Sequence, residues 1–226
     1  MYEWLIENKE LLKLFYGLFI GIICLIIVLR SDKIFRLSLH QGVRYFRNAF
    51  LFFGIAFAVR YFVGFIIYQG YVPAEIFSYS KMVFEFFIIM AGFFIFYSLI
   101  WKQVERSSEP FFSSILNPCI LIFYLMTIIF ITLDSIWGGY TAMFFSQIFL
   151  FTFAAGISFT KFLEKRRRKF LKFYFTAMAL TLIAWTINAL AVLLFRLNDG
   201  IIINTYILNL IVFLLFLYGV MDITRK

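Results

Sequence analysis

One histidine, His40, and two cysteines, Cys24 and Cys119, are all that 226 residues offer a soft or borderline metal ion. A zinc-type centre gathers three or four such ligands at short spacing, and these three are scattered, so no metal and no cofactor is expected. Nor is there an HExxH helix, a glycine-rich phosphate loop or a Ser-His-Asp set within the apolar segments, and the chain is not expected to be an enzyme. Charge is scarce as well, with 15% of residues ionisable. No two carboxylates sit at ligand spacing inside an apolar run, which leaves out the dense intramembrane carboxylates of a proton relay.

What the chain has instead is hydrophobicity. It is 64% apolar, 34 residues are Phe, and its mean hydropathy is +0.95; a soluble domain is roughly 45–50% apolar. The apolar residues fall into seven runs, at 14–29, 49–68, 82–101, 111–133, 141–160, 173–195 and 201–221. A run of about 17–25 such residues crosses a bilayer as a helix, because lipid cannot hydrogen-bond a bare backbone and a helix satisfies its own. The expected fold is a single all-α domain over 1–226, a seven-transmembrane-helix bundle. The first run, flanked by Glu3, Glu7 and Glu10 and followed by Arg30, lacks the basic leader and small-residue cleavage site of a signal peptide, and reads as a retained helix. The two cysteines lie inside predicted helices and read as small apolar residues rather than a disulfide.

Sixteen of the 21 lysines and arginines fall on one side of this arrangement, in the connections after the first, third and fifth runs and in the C-terminal tail. Lys9, Lys13, Lys81 and Arg196 lie on the other, and Arg60 is embedded. Positive charge stays in the cytoplasm, so the N terminus is expected outside and the C terminus inside a cell membrane. The net charge of +9 is therefore a matter of topology, and nucleic acid is not an expected partner. The densest stretch holds Lys161, Lys165, Arg166, Arg167, Arg168, Lys169 and Lys172. Beyond fixing orientation, it can attract anionic headgroups at about 1 kcal/mol per cation, or dock an acidic cytoplasmic partner.

Polar residues inside the runs mark the candidate site. Arg60 lies eight residues before the end of the second run, roughly 12 Å deep at about 1.5 Å per residue. Glu85 sits just below the same surface on the third, so the two are expected to form an ion pair. Asn188, Asn204, Asn209 and Gln147 map to the same outer half, Trp185 lies one turn inward of Asn188, and Asp134, Trp137 and Tyr140 close the outer end between the fourth and fifth runs. Arg60, Glu85, Trp185, Asn188 and Asn209 are the candidate pocket, with Arg60 binding a carboxylate or phosphate, Glu85 holding it and Trp185 as floor. Interhelical hydrogen bonds with no void between them are the competing reading. Gly17 and Gly21 form a small-xxx-small pattern for close helix approach, and Asn117-Pro118 is a candidate kink. The second and sixth runs open with similar residues at an offset of 128 positions, from Arg44-Tyr45-Phe46 and Lys172-Phe173-Tyr174, which would suit a 3+1+3 parallel repeat.

The stretch from Leu37 to Phe50, with His40-Gln41-Gly42-Val43-Arg44-Tyr45-Phe46-Arg47-Asn48 at its centre, resembles uncharacterised archaeal seven-helix membrane proteins. More loosely, it is similar to the membrane sensor regions of histidine kinases. The resemblance covers about thirty residues and implies a sensor-like bundle. With the chain stopping four residues after Asp222, no output domain is expected and a separate partner would be needed. A retinal-binding pump is excluded because the seventh run has no lysine for a Schiff base. Three readings stay open: a receptor-like or sensor-like bundle with an outward-facing pocket for a small polar or anionic ligand, a small transporter, and a structural or assembly protein. The inner half, with few polar residues, looks too dry for the second.

Overall fold

The computed structural model describes residues 9–70, 75–104, 118–164, 169–193 and 199–224, and among these every regular element is helical. The described residues form seven helices: α1 (Lys9–Ser38), α2 (residues 41–68), α3 (Glu75–Val104), α4 (Pro118–Trp137), α5 (Thr141–Glu164), α6 (Lys169–Leu193) and α7 (Asp199–Thr224). The first six are long and apolar enough to cross a membrane, and α7 carries a shorter apolar stretch, Tyr206–Asp222. Large apolar side chains point outward throughout; Phe15, Leu29, Phe145 and Phe149 are 61–63% exposed. Such a surface, adverse in water at about 25 cal/mol per Å², is the surface a bilayer accepts.

The helices overrun the apolar runs that predict them. Helix α1 continues nine residues past Leu29, because Arg30–Ser38 remains good helix: Asp32 bonds Arg36 one turn on, at 2.7 Å, and reaches Arg47 of α2. The apolar run marks the lipid boundary and not the helix end. What ends α1 is Leu39 in the left-handed region, φ 51°, its N–H donating to Phe35 O at 2.7 Å. For α4 the described helix starts at Pro118, where a missing N–H leaves no bond broken. Asn117 and the rest of 105–117, including Pro110, lie outside the described residues, as do Pro73 and the basic residues Lys165, Arg166, Arg167 and Arg168; Lys169 opens α6.

Helices α1, α2, α3, α5, α6 and α7 pack side by side as a ring, with α7 returning to α1, while α4 leans on the outside against α3 and α5. Accordingly α3 is the most buried of the six long helices and α4 the least. The bundle has a His40 end, at the α1–α2 connection, and a Tyr140 end, at the α4–α5 turn. That turn is built by Asp134, fully buried, whose two carboxylate oxygens accept the N–H groups of Ala142 and Met143 at 2.7 and 2.8 Å. A carboxylate at a helix start satisfies orphan donors and meets the positive end of the dipole. Gly138, at φ 69°, makes the reversal.

Helix α2 is interrupted by one π-helical turn, Val59–Val63, between α-helical Gln41–Ala58 and Gly64–Tyr68. Such a turn inserts a residue and re-aims every side chain beyond it, and it recurs at functional sites. Arg60 is in it. Across from it, α1 presents Gly17, where a Cβ would stand 2.6 Å from Tyr61 Cβ. The widened turn fits because Gly17 has no side chain. Gly21, its partner in the small-xxx-small pattern, faces nothing within 4 Å.

Candidate functional site: a cation-lined cavity at the Tyr140 end

A cavity of about 200 Å³ runs down the ring interior from the Tyr140 end. Arg60, Trp185, Asn188 and Asn209 line it, from α2, α6 and α7. It is large enough for a small ligand or several waters, a few tens of Å³ each. Lys13 of α1 also lines it, and no carboxylate is among the described residues that do.

Glu85 is not in this wall. Its carboxylate, 1% exposed, lies 3.7 Å from Lys81 Nζ on the same helix, and the expected Arg60–Glu85 ion pair is replaced by that one. The neighbouring residue, Phe84, faces the cavity instead. Glu85 lies about 100° round the helix from Phe84, on the side of Lys81 one turn before it. Arg60 sits over the Phe84 ring at 4.4 Å from its centroid and over Tyr140 at 5.4 Å; Lys81 shares the Tyr140 ring at 4.7 Å. Among the described residues no carboxylate lies within ion-pair distance of the Arg60 guanidinium, and its side chain is exposed to the cavity. Stacking on a ring is worth about 0.5–2 kcal/mol, whereas a charge at membrane depth costs at least about 2.5 kcal/mol. The two rings together are of the order of that cost, and water or an anion against Arg60 would add to them.

Asn188 Nδ2 donates to Asn209 Oδ1 at 3.1 Å, tying α6 to α7 and leaving an Asn188 oxygen and an Asn209 amino group for other partners. Behind this pair Tyr16 stacks on Tyr206 at 4.4 Å and meets Tyr61 edge-on at 5.4 Å. The Tyr16 hydroxyl lies close to Asn209 without a hydrogen bond of good geometry. Trp185 is a wall and not the floor: the cavity continues past it to Thr181 on α6, and it closes on Phe50 and Phe216, whose rings are 5.1 Å apart.

Other polar residues expected in the cluster are structural. Gln147 is fully buried against Gly92 and donates to Ile88 O at 3.3 Å, joining α5 to α3; a Cβ on Gly92 would meet its amide at 2.7 Å. Asp134 is the cap of α5, and the side chain of Asn204 lies outside the described residues. The cavity residues missed by sequence reasoning are Lys13, Tyr61, Tyr206 and Thr181. Tyrosines one to two turns below the Tyr140 end of α1, α2 and α7 were the available signal, since Tyr hydroxyls at matching depth on adjacent helices tend to converge.

A second, larger cavity of about 530 Å³ opens at the His40 end, bounded by residues of α1, α2, α3, α5, α6 and α7. The half of the bundle that the sequence presents as dry is thus hollow, because its void is walled by apolar side chains that hydropathy reads as packing. Phe216 borders both cavities. The two cysteines are free, Cys24 buried and Cys119 half-buried.

Comparison with known proteins adds a partial relative. An "Uncharacterized protein" of Archaeoglobus fulgidus is 29% identical over 99 residues, which cover 40% of this chain. The chain spans 44% of that relative's length. No family model and no solved structure matches, and the likeness to histidine-kinase sensor regions is not among the matches found. The chain is a helical protein whose long apolar helices are those of a membrane protein, similar over part of its length to an archaeal protein of no stated activity.

Proposed function

We propose that the chain is a receptor-like or sensor-like protein of the cell membrane that binds a small organic anion in the Tyr140-end cavity, with that end outside and the basic loops in the cytoplasm. The observation that carries this reading is a cavity lined by Arg60 and a polar amide pair, with no carboxylate among its described lining residues. Arg60 would take the anionic group bidentately. Asn188 and Asn209 would orient polar atoms, and Trp185 with Phe144, ring to ring at 6.0 Å, would hold an apolar body. Aromatic-lined sites with a few fixed polar groups are the common form of small-molecule pockets. Orientation follows the charge distribution, and the basic loops supply the contact for anionic headgroups or an acidic partner. The ring of six with α4 outside is compatible with the 3+1+3 repeat.

The test is thermal unfolding of the purified protein with acetate, benzoate or phosphate. A ligand at a hundred times its Kd stabilises by about 2.7 kcal/mol, so at least one of these anions should raise Tm, and Arg60→Gln should abolish the shift. An equal shift in Arg60→Gln, or none with any anion, would exclude the site. The transporter reading is kept because Phe216 borders both cavities. It requires that reconstituted vesicles take up the same anion, with Phe216→Ala changing the rate.

A further inference from the structure

We infer that the His40-end cavity is a binding site for an anionic amphiphile, a single alkyl chain ending in a carboxylate or phosphate. At about 530 Å³ it falls within the roughly 300–1,000 Å³ of small-molecule pockets. Its walls are aliphatic and aromatic, with Ile34, Phe46, Leu99 and Leu215 from four helices. A void so lined is not stabilised by water, which needs two to four polar partners, but an alkyl chain recovers the missing dispersion contacts.

The polar features specify the other end of the ligand. Lys161 Nζ spends one donor on Leu99 O at 2.7 Å and retains two. Ser31, 1% exposed, lines the same cavity with a buried hydroxyl that has no hydrogen-bond partner, a group that a ligand oxygen would satisfy. His40 stands at the mouth against the Trp101 ring at 5.0 Å. No carboxylate is among the described residues that line the cavity, and Lys102 lies near enough to act electrostatically on both His40 and Lys161, with Glu164 opposing it in part at Lys161. The site therefore favours a negative head over a neutral one. A fatty acid and an anionic lysophospholipid carry this chemistry alike.

Gly219 provides a clean test. It is buried on the cavity wall, and a Cβ there meets nothing within 4 Å, so the side chain of Gly219→Leu starts from open space and takes up part of the void. The protein is placed in nanodiscs of zwitterionic lipid and titrated with palmitate, C16 lysophosphatidate and hexadecanol, with native mass spectrometry as readout. Wild type should bind both anions at least tenfold more tightly than hexadecanol. Gly219→Leu should lose anion binding at least tenfold with its Tm kept, and Lys161→Met should lose the preference for anion over alcohol. A lysophospholipid retained through purification identifies the membrane as the source of the ligand; palmitate binding without one identifies free fatty acid. Undiminished palmitate binding in Gly219→Leu, equal binding of hexadecanol to wild type, or no binding at all would overturn the assignment.

Discussion

Asp134 is where one side chain holds most structure. Its two oxygens take the first free N–H groups of α5 in a fully buried setting. Removing the carboxylate strands both donors, at about 1–3 kcal/mol each. Asp134→Ala should therefore lower the Tm of the purified protein markedly, and Asp134→Asn, which keeps one acceptor, by less; an unchanged Tm in Asp134→Ala would remove the cap from the account. At this scale the sequence is only half legible. The depth of Asp134, Glu85 and Arg60 can be counted from the run ends, but not the direction in which each points. Glu85 finds Lys81 one turn away rather than Arg60 on the next helix. Gln147, at the right depth for the cavity, turns to α3, where Gly92 leaves room for its amide.

At the scale of elements, the seven helices follow from the length of the apolar runs, since a bilayer demands that length whatever the residues are. Their ends do not follow, because Arg30–Ser38 stays helical on local ion pairs after the apolar residues stop. The π turn at Val59–Val63 is likewise invisible to periodicity. It shifts the face of α2 by one residue, and it depends on Gly17. Gly17→Ala drives a Cβ to 2.6 Å from Tyr61 Cβ, both parts of helical backbone units that yield little. The expected penalty is about 1–3 kcal/mol. Gly21→Ala meets open space and should be neutral, or stabilising by up to about 1 kcal/mol from helix propensity. Thermal unfolding of the two variants separates them; equal effects would mean that Gly17 is not the close-approach point.

For the whole molecule, the ring of six helices explains why cavities exist at all. Apolar helices in lipid have no hydrophobic drive to collapse on one another, so polar interior residues need not be squeezed out. On the proposed topology, the charge split legible in the sequence orients the bundle. Cysteine placed at position 167 should be reachable only from the cytoplasm and at position 9 only from outside. The claim that joins topology to site is that the Arg60 cavity is wet and opens outward. Its most direct measurement is reaction of Asn188→Cys, with Cys24 and Cys119 replaced by Ala, with a membrane-impermeant thiol reagent in intact cells. The cavity predicts labelling from outside, slowed by the anion that raises Tm and unaffected by that anion in Arg60→Gln. Labelling only after permeabilisation, or none while a position 9 control reacts, would contradict it.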